Sequence, residues 1–129
     1  MKPMRRIPIF ALCALLLLCT ACKTVSTTIL NTESKIYYGG SQIETTVREL
    51  CVDGGKTTAR IRFRNLGSEA LDSLEALVEF VDKQGNTIAT DVISATYTEA
   101  IEVGSSVSET AECKSDDRIT GVYVTEYTP

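Results

Sequence analysis

The sequence contains no histidine and no tryptophan, and these two absences exclude several classes of activity. Histidine is the commonest general base and transition-metal ligand, and the only side chain that titrates unperturbed near neutral pH. A Ser-His-Asp hydrolase therefore has no base, and no histidine is present to complete a zinc site or to activate a cysteine thiolate. Without tryptophan, a glycosidase that used two carboxylates would lack the usual ring for stacking a sugar. We expect a protein that is not an enzyme and that has no cofactor and no metal site.

Positive charge is scarce outside the first residues. The whole chain has 13 Lys and Arg against 17 Asp and Glu, a net charge of −4. Lys2, Arg5 and Arg6 precede residue 22 in a stretch without acids, so the part from Cys22 onward has 10 cations against 17 anions, or −7. An acidic body argues against nucleic acid, and against general attraction to anionic lipid, as the main partner.

The apolar run near the N-terminus is too short to span a membrane. Residues 7–18 form a run of 12 uncharged residues, whereas a spanning helix needs about 20. Positive charges precede this run and small residues follow it, which is the form of a cleavable export signal. Cys22 comes directly after Thr20 and Ala21, and this arrangement resembles the bacterial lipobox. Cys19 stands where a lipobox usually has leucine.

The lipobox resemblance implies a lipid-anchored protein of the cell envelope. Residues 1–21 would form a signal helix that is removed, and Cys22 would carry diacylglycerol on its sulfur, with palmitate among the acyl chains. Two or three chains, at about 0.8 kcal/mol per buried CH₂, make attachment effectively permanent. Lys23 is not the aspartate that retains lipoproteins at the inner membrane, so the resemblance implies the outer membrane if the host is Gram-negative. A plain secreted protein is the alternative.

The segment after Cys22 predicts a flexible tether. Residues 23–34 are mostly small and polar, and a flexible segment of that length has an r.m.s. reach of about 20 Å. We therefore divide the chain into a signal peptide (1–21), a lipidated N-terminus with tether (22–42) and a β-sandwich domain (43–129). Residues 36–38 could instead form an edge strand, and the sequence leaves this open.

From residue 43 onward the apolar period is 2, which is typical of half-buried antiparallel strands. In the clearest case, Ala59, Ile61 and Phe63 alternate with three arginines. Asp53-Gly54-Gly55 predicts a tight turn before that strand. The predicted strands are residues 43–52, 57–66, 74–82, 87–92, 95–103, 107–113 and 119–127. A short helix over residues 71–76 also fits the pattern, but the spacing of turns indicates an all-β antiparallel sandwich.

Residues 59–127 resemble the small immunoglobulin-like FxLYD domains. The resemblance depends on Arg64-Asn65-Leu66-Gly67, on 78–82 before the turn at 83–85, on the bend at 101–106 and on the final strand at 122–124. Of the naming motif itself, only Asp82 matches. The resemblance implies an immunoglobulin-like sandwich in a secreted or lipid-anchored protein and implies no reaction.

The cysteine count predicts one disulfide. Cys13 and Cys19 leave with the signal and Cys22 is acylated, which leaves Cys51 and Cys113 as a pair in an oxidising compartment. Each stands at the end of a predicted strand, just before a turn. Two unpaired buried thiols are the alternative.

Arg60, Arg62 and Arg64 form a possible binding stripe for an anionic glycan, a phosphate or a partner's carboxylates. The alternative is a solvated sheet face with Glu75 and Glu79 as cross-strand partners. Two pairs of side chains with oxygen ligands, Asp82 with Asn86 and Asp116 with Asp117, lack the ligand spacing of a calcium loop and are interpreted as turn residues.

Two functions remain open from the sequence. The first is a non-catalytic envelope lipoprotein that presents its sandwich for protein–protein or surface interaction. The second is a periplasmic inhibitor or accessory substrate-binding module that acts on a partner enzyme.

Overall fold

The chain folds into a two-layer antiparallel β-sandwich. The computed structural model describes residues 23–24 and 33–129, and these contain strands and turns without a helix. The strands are β1 Lys23–Thr24, β2 Glu33–Tyr38, β3 Ser41–Asp53, β4 Lys56–Asn65, β5 Leu71–Val81, β6 Thr87–Ile101, β7 Ser106–Lys114 and β8 Gly121–Thr125. Sheet A contains β3, β4 and β7 in that order, with β1 and β2 both paired to the free side of β3, and sheet B has the order β6-β5-β8. The predicted all-β antiparallel sandwich is confirmed, while the predicted signal helix lies outside the described residues.

Alternating side chains fill the space between the sheets. On β4 the residues at 57, 59, 61 and 63 are fully buried, and the arginines between them face outward. On β5 the alternating buried residues are Leu74, Ala76, Val78 and Phe80, and Leu71 and Val81 are buried at its two ends. These two central strands supply eight of the 17 residues of the core cluster, because each has neighbours on both sides and its inward residues are covered by the opposite sheet.

The turn between β3 and β4 follows the sequence prediction. Asp53 pairs directly with Lys56, so the connection is the two residues Gly54 and Gly55. Their φ angles are 60° and 90°, and a two-residue hairpin of this hand requires positive φ at both positions. Glycine adopts these angles without a steric penalty, which explains the pair.

The predicted boundary between tether and domain was placed too late. Glu33–Tyr38 is a six-residue strand that pairs with the start of β3, and Ile36 is 2% exposed within the core. Residues 33–42 therefore belong to the sandwich, and the edge strand that the sequence left open is present. Lys23 and Thr24 also pair with β3, opposite Val52 and Cys51. The rest of the predicted tether, residues 22 and 25–32, lies outside the described residues.

Two other boundaries differ from the prediction. The runs 87–92 and 95–103 form one strand of 15 residues, β6, because no turn residue separates them and Ser94 simply occupies an outward position. Residues 71–76 are strand and not helix, because β6 pairs along their length from Leu71 to Ala76. Inter-strand pairing thus overrides the local helical pattern.

The strand order differs from that of an immunoglobulin constant domain. There, one sheet contains the first, second, fifth and fourth strands. Here, with the seven longer strands counted from β2, the corresponding sheet contains the first, second, third and sixth. The likeness to immunoglobulin domains therefore extends to the sandwich architecture and not to the order of its strands.

The two ends of the sandwich are distinct. Residues 53–56, 82–86 and 114–120 form one end. We call it the entry end, because Lys23 pairs with β3 next to it. The opposite, far end is formed by residues 38–41, 66–70 and 102–105. Backbone bonds join the segments at the entry end, with Ser115 N–H donating to Gly55 O (2.9 Å) and Thr120 N–H to Val81 O (2.9 Å).

A buried amide holds the far end together. Asn65, at the end of β4, is 1% exposed. Its Nδ2 donates to the carbonyls of Glu69 (2.8 Å) and Ile101 (2.9 Å), and its Oδ1 accepts from the N–H of Gly67 (2.8 Å). A Cβ at Gly67 would overlap the side chain of Ser41. Glycine is therefore required there for the loop to lie close to Asn65.

Carboxylates from β6 and from the residue after β8 cap the two edges of sheet A. On β2, the N–H of Tyr37 donates to Glu126 Oε2 (3.1 Å), and on β7 the N–H of Glu112 donates to Asp91 Oδ2 (2.9 Å). Exposed edge strands offer unpaired N–H groups to other chains, and proteins commonly block them. These two contacts block one such group on each edge and also join the sheets.

Candidate functional site

The predicted lipidation site, Cys22, lies outside the described residues, but the chain that follows it is placed. Lys23 pairs with Val52, and Thr24 pairs with Cys51. Val52 is two residues before the Gly54–Gly55 turn. The polypeptide therefore joins the sandwich at the entry end directly after Cys22.

The predicted arginine stripe lies on the outer face of sheet A. Arg60 and Arg64 are exposed, and Arg62 is partly buried. Their cross-strand neighbours on β3 are Glu49 for Arg60, Thr46 for Arg62 and Glu44 for Arg64. On β7 the corresponding neighbours are hydroxyl residues, Thr110, Ser108 and Ser106. The structure thus keeps the three guanidinium groups on one face, as predicted.

The expected acidic partners of this stripe were wrong. Glu75 and Glu79 lie on β5 in the other sheet, where they accept hydrogen bonds from Ser94 Oγ (3.3 Å) and Thr87 Oγ1 (2.7 Å). The partner that the structure provides is Glu44, whose Oε1 is 3.9 Å from Arg64 Nη1. The prediction failed because neighbouring positions in the sequence do not reveal which strands pair.

The middle of the stripe contains two polar atoms without a partner. Arg62 Nε and Thr46 Oγ1 are both buried and make no hydrogen bond within the described residues. The two residues are direct cross-strand neighbours. Arg62 also has no carboxylate opposite it on either side. It is therefore the least compensated cation of the three.

The predicted Cys51–Cys113 disulfide is wrong, because Cys113 is a free thiol. Cys51 lies opposite Thr58 on the outward face of sheet A, while Cys113 lies opposite Thr57 on the inward face. The two cysteines are also on β3 and β7, which flank β4, so about 10 Å separates their strands. A disulfide requires Cα atoms within about 7 Å and side chains that point toward each other. Cys51 Sγ also lies 3.2 Å from Thr58 Oγ1.

Cys113 is in a poor environment for a nucleophile. It is partly buried against the core, near a surface cavity of about 410 Å³ that Lys56 and Lys114 also line. Burial raises the pKa of the Cys113 thiol, and the charges of Asp91 and Asp116 raise it further. Because the thiolate is the reactive species, this thiol remains in its inert, protonated form at neutral pH.

The acidic turn residues order their own loops. Asp82 Oδ1 accepts from the N–H groups of Gln84 (2.9 Å) and Asn86 (2.8 Å), and these bonds lower the pKa of Asp82. Asp116 accepts from the side chain and N–H of Arg118, which lowers the pKa of Asp116 to about 2. Both carboxylates therefore form turns, as predicted.

One hydrogen bond between the sheets makes the fold sensitive to alkali. The hydroxyl of Tyr97 donates to Glu109 Oε2 at 2.6 Å. Burial raises the pKa of Tyr97 above its ordinary value of 10, and Glu109 raises it further as acceptor and as a charge. A folded-state pKa that exceeds the unfolded value gives stability that is complete below pH 10 and is lost above it.

We expect the free energy of unfolding to fall as pH rises above 10, and to fall less steeply in Tyr97→Phe. Urea denaturation at several pH values between 8 and 11 measures this dependence. Equal slopes in the wild type and the variant would contradict the role assigned to Tyr97.

The described residues contain a sheet face with three arginines, two sheet edges that are each capped by a carboxylate, and two ends that differ in charge. Within residues 23–24 and 33–129, no group of three or more His, Cys, Asp or Glu side chains is placed to hold a metal ion. None of the described residues belongs to a helix with the length and hydropathy needed to cross a membrane. Comparison of the chain with protein-family models, with curated proteins and with solved structures finds no match in any of the three.

Proposed function

We propose that this protein is a lipid-anchored component of a bacterial cell envelope that presents a non-catalytic β-sandwich to a protein partner. The observation that carries the proposal is Cys22, which follows an export-signal pattern and two small residues. The resemblance of residues 59–127 to FxLYD domains supports the envelope setting. Lys23 after the cysteine favours the outer membrane in a Gram-negative host.

The absence of histidine supports a binding role over catalysis. No general base of that type is available. The one free thiol of the described residues, Cys113, stays protonated at neutral pH because burial and nearby carboxylates raise its pKa. The arginine stripe is the candidate contact surface within this role. An acidic partner segment could lie along it, since Arg62 has no carboxylate opposite it.

The anchor is tested by replacing Cys22 in the full chain. We expect Cys22→Ala to lose metabolic labelling by palmitate completely and to leave the membrane fraction, because acyl chains provide the attachment. Intact mass spectrometry of the mature wild type should show a diacylglyceryl group on an N-terminal cysteine at position 22. Cys13→Ala is the matched control, since it changes a cysteine of the apolar run outside the lipobox and should keep both label and location.

Two results would contradict the anchor. One is cleavage at any site other than the bond before Cys22. The other is a mature protein whose Cys22 sulfur lies in a disulfide. Cys51 is the nearest described cysteine for that alternative, because it pairs with Thr24.

A further inference from the structure

We propose that the sandwich is held upright on the membrane, with its entry end against the lipid headgroups and its far end in the aqueous phase. This inference rests on the proposed lipidation of Cys22 and goes beyond it. Lipidation alone says that the domain is attached. The structure adds which surface of the domain meets the bilayer.

The first argument is that the described chain pairs with the sandwich immediately after the proposed lipidation position. Lys23 is already paired with Val52, and Thr24 with Cys51. One residue spans at most about 3.6 Å, and only one peptide bond separates the proposed lipidation position from the paired Lys23. A free segment of 12 residues would have let the domain move over about 20 Å and turn in any direction. Pairing of the first two residues with β3 removes that freedom.

The second argument is the direction of the strands. β3 ends and β4 begins at the entry end, and β4 then runs ten residues to Asn65 at the far end. At about 3.3 Å per residue this strand spans about 33 Å. An anchor beside the Gly54–Gly55 turn therefore leaves the far-end loops about 30 Å from the headgroups.

The third argument is the distribution of charge. Residues 33–129 contain 9 cations and 17 anions. The entry end nevertheless balances, with four of each sign: Lys56, Lys83, Lys114 and Arg118 against Asp53, Asp82, Asp116 and Asp117. The far-end segments contain two anions, Glu69 and Glu102, and no cation. The neutral end can approach a phospholipid surface, whereas the acidic remainder is repelled by anionic lipid.

Two lysines at the entry end fit a headgroup phosphate. Lys56 and Lys114 are direct cross-strand neighbours on β4 and β7, and like charges in that position repel each other. Glu112 is 3.4 Å from Lys56, in an exposed ion pair. A phosphate at the bilayer surface would supply a counter-charge for both lysines. The entry end is thus proposed to contact the headgroup layer of the same bilayer that holds the acyl chains.

Tryptophan fluorescence can test the orientation, because the natural chain contains no tryptophan. Gln84→Trp introduces the probe in an exposed turn at the entry end, and Val103→Trp introduces it at an exposed far-end position. Each lipidated full-length variant is reconstituted in phosphatidylcholine vesicles that contain a little dansyl-phosphatidylethanolamine. We expect energy transfer to the headgroup dansyl to be at least several-fold greater from position 84 than from position 103.

An inserted linker provides the matched control. Twelve Gly and Ser residues between Cys22 and Lys23 restore a reach of about 20 Å and should bring the two probes close to equal transfer. Equal transfer in the unextended protein, with its acyl chains verified by mass spectrometry, would overturn the upright orientation and leave the anchor intact. Absence of acyl chains in that mass spectrum would overturn the proposed function and the orientation together.

Discussion

Replacement of Asn65 by Asp is expected to lower the free energy of unfolding by about 4 kcal/mol. It removes the donor to a buried carbonyl, Ile101 O, and the donor to a part-buried one, Glu69 O, and an unpaired buried group costs about 1–3 kcal/mol. The amide Nδ2 donates to Glu69 O and Ile101 O. Because Asn65 is 1% exposed, a new carboxylate at this position could not turn toward water. A carboxylate oxygen in that place would face two carbonyl oxygens. Urea denaturation at neutral pH measures the loss.

The variant should also acquire a characteristic pH dependence. Burial and the two carbonyls would raise the pKa of the new carboxyl above its unfolded value, because both disfavour the charged form. Its deficit should therefore be smallest below pH 4 and grow as pH rises.

Gln84→Glu is the matched control, since it makes the same amide-to-acid change at an exposed turn position and should change stability by less than about 0.5 kcal/mol. A loss below about 1 kcal/mol in Asn65→Asp would show that the amide does not hold the far end together.

Replacement of Phe63 by Ala should lower the free energy of unfolding by about 4 kcal/mol, as is usual for a fully buried phenylalanine. Phe63 is 0% exposed at the centre of sheet A, between Thr45 on β3 and Val107 on β7. The cost combines the lost burial of the ring with the cavity that remains. Thermal or urea denaturation provides the measurement.

The next residue on the same strand is the control for that substitution. Arg64 faces outward with its side chain 47% exposed, and its ion pair with Glu44 is 3.9 Å long. Such surface pairs contribute about 0–1 kcal/mol, so Arg64→Ala should cost less than about 1 kcal/mol. Equal losses at positions 63 and 64 would mean that the alternation along β4 does not separate core from surface.

The alternation of β4 and β5 could be predicted from the sequence because it is a local property. A period of 2 assigns successive side chains to opposite faces wherever the strand lies in the fold. The buried set on β4 and the outward arginines follow from it directly. The Gly54–Gly55 turn was also predictable, since two consecutive positive φ angles leave few other residue choices.

The errors share one cause, which is that strand pairing is not local. Glu75 and Glu79 were assigned to the arginine stripe, but β5 belongs to the other sheet. Cys51 and Cys113 were paired on the ground that both end a strand, although they lie two strands apart on opposite faces. Residues 33–42 were assigned to the tether because Gly39-Gly40-Ser41 predicted a flexible point, but residues 33–38 pair with β3 and belong to the sheet.

Asn65 holds the far end together, but from the sequence it was noted only within the segment Arg64-Asn65-Leu66-Gly67. Its signal was present, since an Asn followed at two residues by Gly is typical of a side chain that bonds its own loop. The sequence could not reveal that the amide would also reach Ile101, 36 residues away.

By itself, the sequence determined the class of the fold and predicted an export signal and the position of the proposed anchor, because each depends on residues that are close along the chain. The proposed anchor depends on residues 7–18 and Cys22 alone, whatever the domain does. Only the tertiary structure decided that Lys23 joins the sheet directly after that cysteine. Register and strand order depend on pairing between residues far apart in the sequence. Many different pairings would fit the same local pattern of apolar and polar residues, so the sequence does not select one of them. The membership of residues 33–38 in sheet A, the unpaired thiol at Cys113 and the end of the sandwich that we propose meets the membrane were decided at that level.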